Sequence, residues 1–458
     1  MNRALDTKTE KEFLTTLGER LSYAGYPIGT NILSMLGLTY LSLFYTDFAG
    51  LSTGVVAALF LAARIWDAVN DPLFGGIVDR INPKKGKFKP WVSATIIALP
   101  VATIFVFRTI EGGGMSNIIY ACITYIIWGM IGTVCGVPFS AMVTSLTDKL
   151  SERATLISWS TFTGILGSVL TAVLGGPMIK KFGFQNTVLI LVTIAFITMI
   201  PVHFLAKERV LHPRRDRVTF KNMLDAIVRN RYLIAFFISY LFLTGTSFAM
   251  TIGTYFVKWN LGNLELMGIV MISSFLPVVI LPLLLPMLIR RFGKRKLYLY
   301  GILLGIVFSV VQYFAGYRIL PLFLLLNGIK LIGIYLPVTM TGMFTADCAE
   351  YGAYITGKRN EGITFAIQAF SNKLGGAVSG ALSMLLLGLS GYNGMAEVQT
   401  QTTLDSIWLQ ISLLPVTGLV IAFVIFSRFY KLEEQDVEKM ITGTASHKEF
   451  PVQDAIAE

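Results

Sequence analysis

About twelve apolar runs, each long enough to cross a bilayer, follow one another along this chain. They lie near 22–46, 54–79, 90–110, 117–145, 156–180, 185–205, 231–258, 264–289, 296–317, 320–346, 362–389 and 404–427. A helix needs about 20 apolar residues to span roughly 30 Å of hydrocarbon. Only helices and closed barrels satisfy their backbone there, and runs of this length and uniform polarity suit helices. The chain is therefore expected to be an all-α integral membrane protein. Composition agrees, with 14% charged residues and a mean hydropathy of +0.66. A soluble chain carries about a quarter charged residues. The first twenty residues are polar, and the first apolar run is too long for a secretory signal. It is expected to remain as a membrane span.

The net charge of +11 is a matter of placement. With the N-terminus inside, inner segments hold 30 of the 38 Lys and Arg. Outer loops hold five: Arg108, Lys180, Lys181, Lys258 and Arg318. Arg64, Lys330 and Lys373 fall inside apolar runs. This asymmetry follows the positive-inside rule and, with an even number of spans, is expected to put both termini in the cytoplasm. The basic excess thus reports topology, and no nucleic-acid partner is expected. The expected partners are a small solute and membrane lipid, with the chain monomeric. Cys122, Cys135 and Cys348 have no metal or disulfide spacing. His203, His212 and His447 are not placed for an intramembrane proton relay. A Walker loop, a hydrolase elbow and a zinc motif are all missing, so neither an enzyme nor a cofactor is expected.

The longest polar interruption, 206–230, separates six runs (1–205) from six (231–430), ahead of a tail at 431–458. Two features recur at an offset of 210 residues. YTDFAGL from Tyr45 ends run 1, and YFVKWNLG from Tyr255 ends run 7. DRINPKKGKFKPW follows run 2, and RRFGKRKLYL follows run 8. The shared offset predicts two pseudo-symmetric six-helix halves, twelve transmembrane helices in all. That arrangement resembles the major facilitator fold, with its substrate site between the halves.

Run 2 carries the polar stretch RIWDAVNDP. Arg64, Asp67 and Asp71 follow at i, i+3 and i+7, flanked by Asn70, so they share one helical face. An ionised group in mid-membrane costs at least about 2.5–3.5 kcal/mol, so this face avoids lipid. Two acids one turn apart repel unless a cation lies between them. Asn70 adds a neutral oxygen, which suits a hard ion such as Na⁺, and Arg64 balances one carboxylate. The plain alternative is an ion-pair cluster that only locks helices together.

These residues also carry a family resemblance. RLSYAGYPIGTN, FYTDFAGLSTG, LFLAARIWDAVNDPLFGGIVDR, VPFSAMVTSLTDKLSERA and DCAEYGAYITGKRNEGITFAIQAFSNKLGG resemble the glycoside–pentoside–hexuronide:cation symporters of the melibiose permease type. The resemblance covers essentially all the spans. It implies alternating access and import of a sugar with Na⁺, H⁺ or Li⁺. It implies a cation site at Asp67, Asn70, Asp71 and Thr133, with Na⁺ held by Asp67 and Asp71. It also implies that Lys373 stands near both cation and sugar.

The sugar site departs from the pattern. Asn31, Gly136 and Thr161 stand where two acids and an arginine are usual, and Ser140 and Val338 replace tryptophans. Asn31, Trp128, Gln368 and Lys373 remain as substrate candidates, with Tyr40 as a stacking ring. Lost carboxylates together with Lys373 and Lys330 favour an acidic sugar. Lys330 is equally readable as internally paired or snorkelling. Arg153 facing Asp347 and Glu350, with Lys358 and Arg359 nearby, is expected to close the cytoplasmic side. Rival readings are a lysolipid transporter, a drug/H⁺ antiporter of the same fold and a non-transporting sensor.

Overall fold

The structure, a computed structural model, describes residues 14–80, 86–110, 114–147, 149–209, 230–356 and 361–441. All regular elements among them are helical. In chain order they are α1 (Leu17–Leu43), α2 (Thr53–Arg80), α3 (Lys89–Val106), α4 (Gly114–Leu146), α5 (Leu150–Phe182) and α6 (Phe184–Leu205). The second series is α7 (Arg231–Thr244), α8 (Phe248–Tyr255), α9 (Met267–Phe292), α10 (Lys294–Ala315), α11 (Leu320–Thr339) and α12 (Thr341–Thr356). It ends with α13 (Glu361–Leu389), α14 (Gln401–Ser412), α15 (Leu414–Phe429) and α16 (Glu434–Ile441). Eleven helical stretches among the described residues are long and apolar enough to cross a membrane. The remaining expected span, 54–79, coincides with α2.

Three expected spans are jointed. Run 7 divides into α7 and α8, run 10 into α11 and α12, and run 12 into α14 and α15. Pro337 and Pro415 stand within three residues of the last two joints, where a proline ring displaces an i−4 hydrogen bond. Two π turns, Phe44–Phe48 and Phe256–Asn260, end α1 and α8. They fall in the two segments that the sequence offset relates. Single glycines with positive φ, Gly183 at 79° and Gly293 at 76°, join α5 to α6 and α9 to α10. Only glycine takes that conformation without strain.

The chain forms two compact units. The first comprises 1–215, 257–271 and 391–399, and the second 216–256, 272–390 and 400–458. In the first, α1 and α5 approach until Gly167 meets the Ile28 carbonyl; a Cβ there would lie 2.4 Å from that oxygen. Small residues let backbones approach this closely, and in lipid such packing drives association. Phe44, Phe107 and Phe184 fill one end, with ring centroids 5.2–5.7 Å apart. In the second unit, Phe236, Tyr298, Phe344, Phe426 and Tyr430 form the core, with Tyr298 stacked on Phe426 at 4.1 Å.

Carboxylates tie the first unit at one end. Thr16 caps α1 in a reciprocal box with Glu19, and Glu19 also takes a forked contact from Arg209 at 2.7 and 2.9 Å. Glu208 accepts the backbone N–H groups of Lys87, Phe88 and Lys89 where α3 begins. Glu152, fully buried, accepts from Leu14 N, Thr15 N, the Thr15 hydroxyl and the Thr147 hydroxyl. Burial works against its ionisation, but these hydrogen bonds outweigh it and hold the carboxyl below its ordinary value.

Candidate transport site

Helix register in the first unit sets the level of each expected cation residue. Tyr26 of α1 stacks on Phe139 of α4 at 4.6 Å, and eleven residues on Gly37 lies against Trp128, eleven residues back. The two helices therefore run antiparallel in one register, which puts Asn31 level with Val134. Phe60 of α2 meets Tyr125 of α4 at 5.3 Å. Helices separated by one intervening span run the same way, so ten residues further Asn70 comes level with Cys135. Asn31, Asn70 and Thr133 thus share one transverse layer, within about a helical turn at 1.5 Å per residue. On the α2 backbone, Asp67 and Asp71 are level with Gly132 and Gly136 of α4. A Cβ built on either glycine meets no described atom within 4 Å. Thr133 is 9% exposed and Asn70 half-buried. The side chains of Arg64, Asp67 and Asp71 lie outside the described residues. Among the described residues, no three His, Cys, Asp or Glu side chains gather as a metal site.

The substrate candidates divide. Asn31 donates to Pro27 O at 2.9 Å and accepts from Ser168 at 3.3 Å. Trp128 donates to the Thr103 hydroxyl at 3.0 Å. Gln368 is partly buried, and among the described residues its Oε1 has no hydrogen-bond partner. Lys373 is half-buried on α13. Thr161, the substituted arginine position, is exposed and donates back to Ile157 O at 2.8 Å. Two candidates are enclosed instead. Tyr40 is fully buried in the α1–α5 seam, its hydroxyl on Ala172 O and its ring against Gly175. Lys330 is 2% exposed, its ammonium on Ile411 O at 3.1 Å. The sequence marks both as polar within apolar runs, but which neighbour each meets is set by packing.

Two of the expected cytoplasmic gate residues, Arg153 and Asp347, make contacts within their own units. Arg153 donates to Thr147 O at 2.8 Å and Thr144 O at 3.2 Å. Asp347 pairs with Lys294 at 2.8 Å. Glu350 lies on α12, while Lys358 and Arg359 fall outside the described residues.

Sequence reasoning missed a polar knot in the first unit. Asp47, with its side chain 2% exposed, pairs with Lys258. It also accepts from the Tyr392 hydroxyl at 2.6 Å and the Thr46 hydroxyl at 2.7 Å. Trp259 donates to Tyr392 at 3.1 Å. Asp47 and Lys258 sit in the two π turns. The repeated segments at Tyr45 and Tyr255 were the available signal: they put an acid in one copy and a base at the neighbouring position of the other.

The sequence model of the MFS/sugar transport protein family matches residues 22–434. This chain belongs to that family. It is 29% identical over 455 residues to an uncharacterized symporter, YjmB, of Bacillus subtilis, covering 96% of this chain and 97% of that one. It is 27% identical to the glucuronide carrier protein homolog of Escherichia coli, over 95% and 98% of the two chains. It is 28% identical to the isoprimeverose transporter of Lactiplantibacillus pentosus, over 91% and 89%. The fold resembles the nucleoside transporter NupG, with a TM-score of 0.63 at 16% identity, covering 91% of this chain and all of that one. A bacterial homolog of the lysosomal transporter Spinster gives 0.62 at 13%, covering 91% and 97%. These structures carry the fold alone: the major facilitator architecture.

Proposed function

We propose that this protein is a cation-coupled symporter that imports a glycoside or an acidic sugar across the bacterial inner membrane by alternating access. The observation that carries the reading is the layer of Asn31, Asn70 and Thr133, level with the α2 backbone at Asp67 and Asp71. Two carboxylates, an amide oxygen and a hydroxyl form an oxygen donor set for a hard monovalent cation. Na⁺ is the favoured coupling ion and H⁺ the second. A bound cation relieves the mutual repulsion of the two acids, and by linkage it raises sugar affinity as sugar raises cation affinity.

An acidic sugar is favoured over a neutral glycoside. The carboxylates that clasp a neutral galactoside are absent at Asn31 and Gly136, while Lys373 remains on α13. Lys330 does not enter the argument, because its ammonium is enclosed. The relatives' names include a glucuronide carrier and an isoprimeverose transporter, so both classes belong in the test. The Asp47–Lys258–Tyr392 knot is the candidate outer closure, an ion pair that opens and reforms in each cycle.

The test is uptake into proteoliposomes of a glucuronide and a neutral glycoside, with and without an inward Na⁺ gradient at fixed pH. Asp71→Asn should abolish gradient-driven uptake while inserting normally. Concentrative uptake by that variant at the wild-type rate would remove the cation assignment. Uptake that follows only a pH gradient would replace Na⁺ by H⁺.

A further inference from the structure

Midway along α11 the second unit encloses Lys330, whose ammonium has the Ile411 carbonyl as a partner at 3.1 Å. Among the described residues, no carboxylate lies within ion-pairing distance of it. Polar residues nevertheless lie at its level. α10 and α11 run antiparallel in backbone contact, with Gly305 against Gly333 and Gly301 against Pro337. One turn beyond Gly305, that register brings Ser309 level with Ile329 and Lys330, and Gln312 level with Leu326. Gln410 immediately precedes Ile411 on α14.

Ser309 and Gln312 are 0% exposed and Gln410 is 1% exposed. Among the described residues, the Ser309 hydroxyl and both amide atoms of both glutamines have no hydrogen-bond partner. Asn327, the next polar residue of α11, is already committed to Ser273 and Ser274 at 3.3 and 3.2 Å.

Buried polar groups are almost always paired, and buried charges are balanced. This layer offers one formal positive charge and the N–H and O–H donors of Gln312, Gln410 and Ser309. We infer that Ser309, Gln312, Lys330 and Gln410 hold one small monovalent inorganic anion inside the second unit. The sign follows from Lys330, the one formal charge in the layer among the described residues. A single negative charge balances Lys330, whereas a divalent anion leaves an excess. The side chains are at most 2% exposed, so the anion is resident in the fold rather than cargo. On binding, the glutamine N–H groups and the Ser309 hydroxyl donate to the anion.

The inference is independent of transport, and so is its test. The full-length protein in detergent is dialysed into sodium gluconate, then titrated with sodium chloride at constant sodium. Chloride should raise the melting temperature by a few degrees and saturate, as ligand binding to the folded state requires. Lys330→Met should abolish the chloride dependence. Gln410→Leu should shift the titration to about tenfold higher chloride, the effect of one lost hydrogen bond. Crystals grown in bromide should show an anomalous peak within hydrogen-bond reach of Lys330 Nζ. Wild-type melting indifferent to chloride overturns the inference, as does an unchanged chloride response in Lys330→Met. Should Lys330→Met fail to fold, the Gln410→Leu titration and the bromide peak decide: an unshifted titration without a peak overturns it.

Discussion

The two units bury charge in opposite ways. In the first, the buried and half-buried acids at one end are saturated with donors. Glu152 holds four donors, Glu19 holds Thr16 and Arg209, and Glu208 holds three backbone N–H groups. In the second, Lys330 is cationic and lies within a span, near the level of buried glutamines whose amides have no partner among the described residues. The difference follows from what a helical protein has to spare. Helix starts leave N–H groups without partners, and a carboxylate takes up to about four of them. An ammonium only donates, and carbonyls in mid-helix are already spent on their own ladder. Acids near helix ends are therefore satisfied by the chain itself. A lysine in mid-span is not.

The largest effect should come from breaking the saturated side. Glu152→Gln replaces an acceptor for four donors with a group that accepts at one end only, and should cost about 2–3 kcal/mol. Its pH signature separates charge from packing. The folded Glu152 carboxyl titrates below its ordinary value, so its contribution is full above the unfolded pKa of about 4.3 and falls as pH drops through the folded value. The melting-temperature gap between wild type and variant should shrink below about pH 4. A gap constant from pH 7 to pH 3 would mean that shape, not charge, matters there.

Asp47→Asn tests a buried acid whose base, Lys258, keeps 30% exposure. The cost should be about 2 kcal/mol, lower than for a fully buried pair because water screens the lysine. It should appear as faster labelling of a cysteine placed on the outer side, by about thirtyfold in the open population. Unchanged labelling would leave the knot as plain scaffolding.

On the unsaturated side the sign changes. Gln312→Leu removes two unpartnered atoms at similar volume, and in halide-free buffer should be neutral or stabilising by up to about 1 kcal/mol. A loss above 2 kcal/mol would show that Gln312 is satisfied after all, and the contrast between the units would fail. The smallest effect is expected at the open face of α4. Gly136→Ala meets no described atom and should change stability by less than about 0.5 kcal/mol. Any change in uptake should then come from altered substrate preference.

Much of the architecture was legible in the chain. Run length and charge asymmetry are properties of local segments, and lipid leaves a long apolar segment little choice but a helix. The 210-residue offset related the two segments in which the structure places π turns, and the spacing of Asp67, Asn70 and Asp71 on one helix needs only 3.6 residues per turn. What the sequence could not settle was where a side chain meets another helix. Tyr40 and Lys330 look like cavity residues in one dimension. The glycine seams rotate them into helix contacts, because Gly175 admits the Tyr40 ring and Gly305 meets Gly333. Arg153 and Asp347 look like gate partners, yet Thr147 and Lys294 take them in this structure. Asp47, Lys258 and Tyr392 are more than a hundred residues apart in sequence and became a cluster only through folding. Periodicity is written along the chain. Register between helices depends on how their surfaces interlock, and only the packed structure decides that.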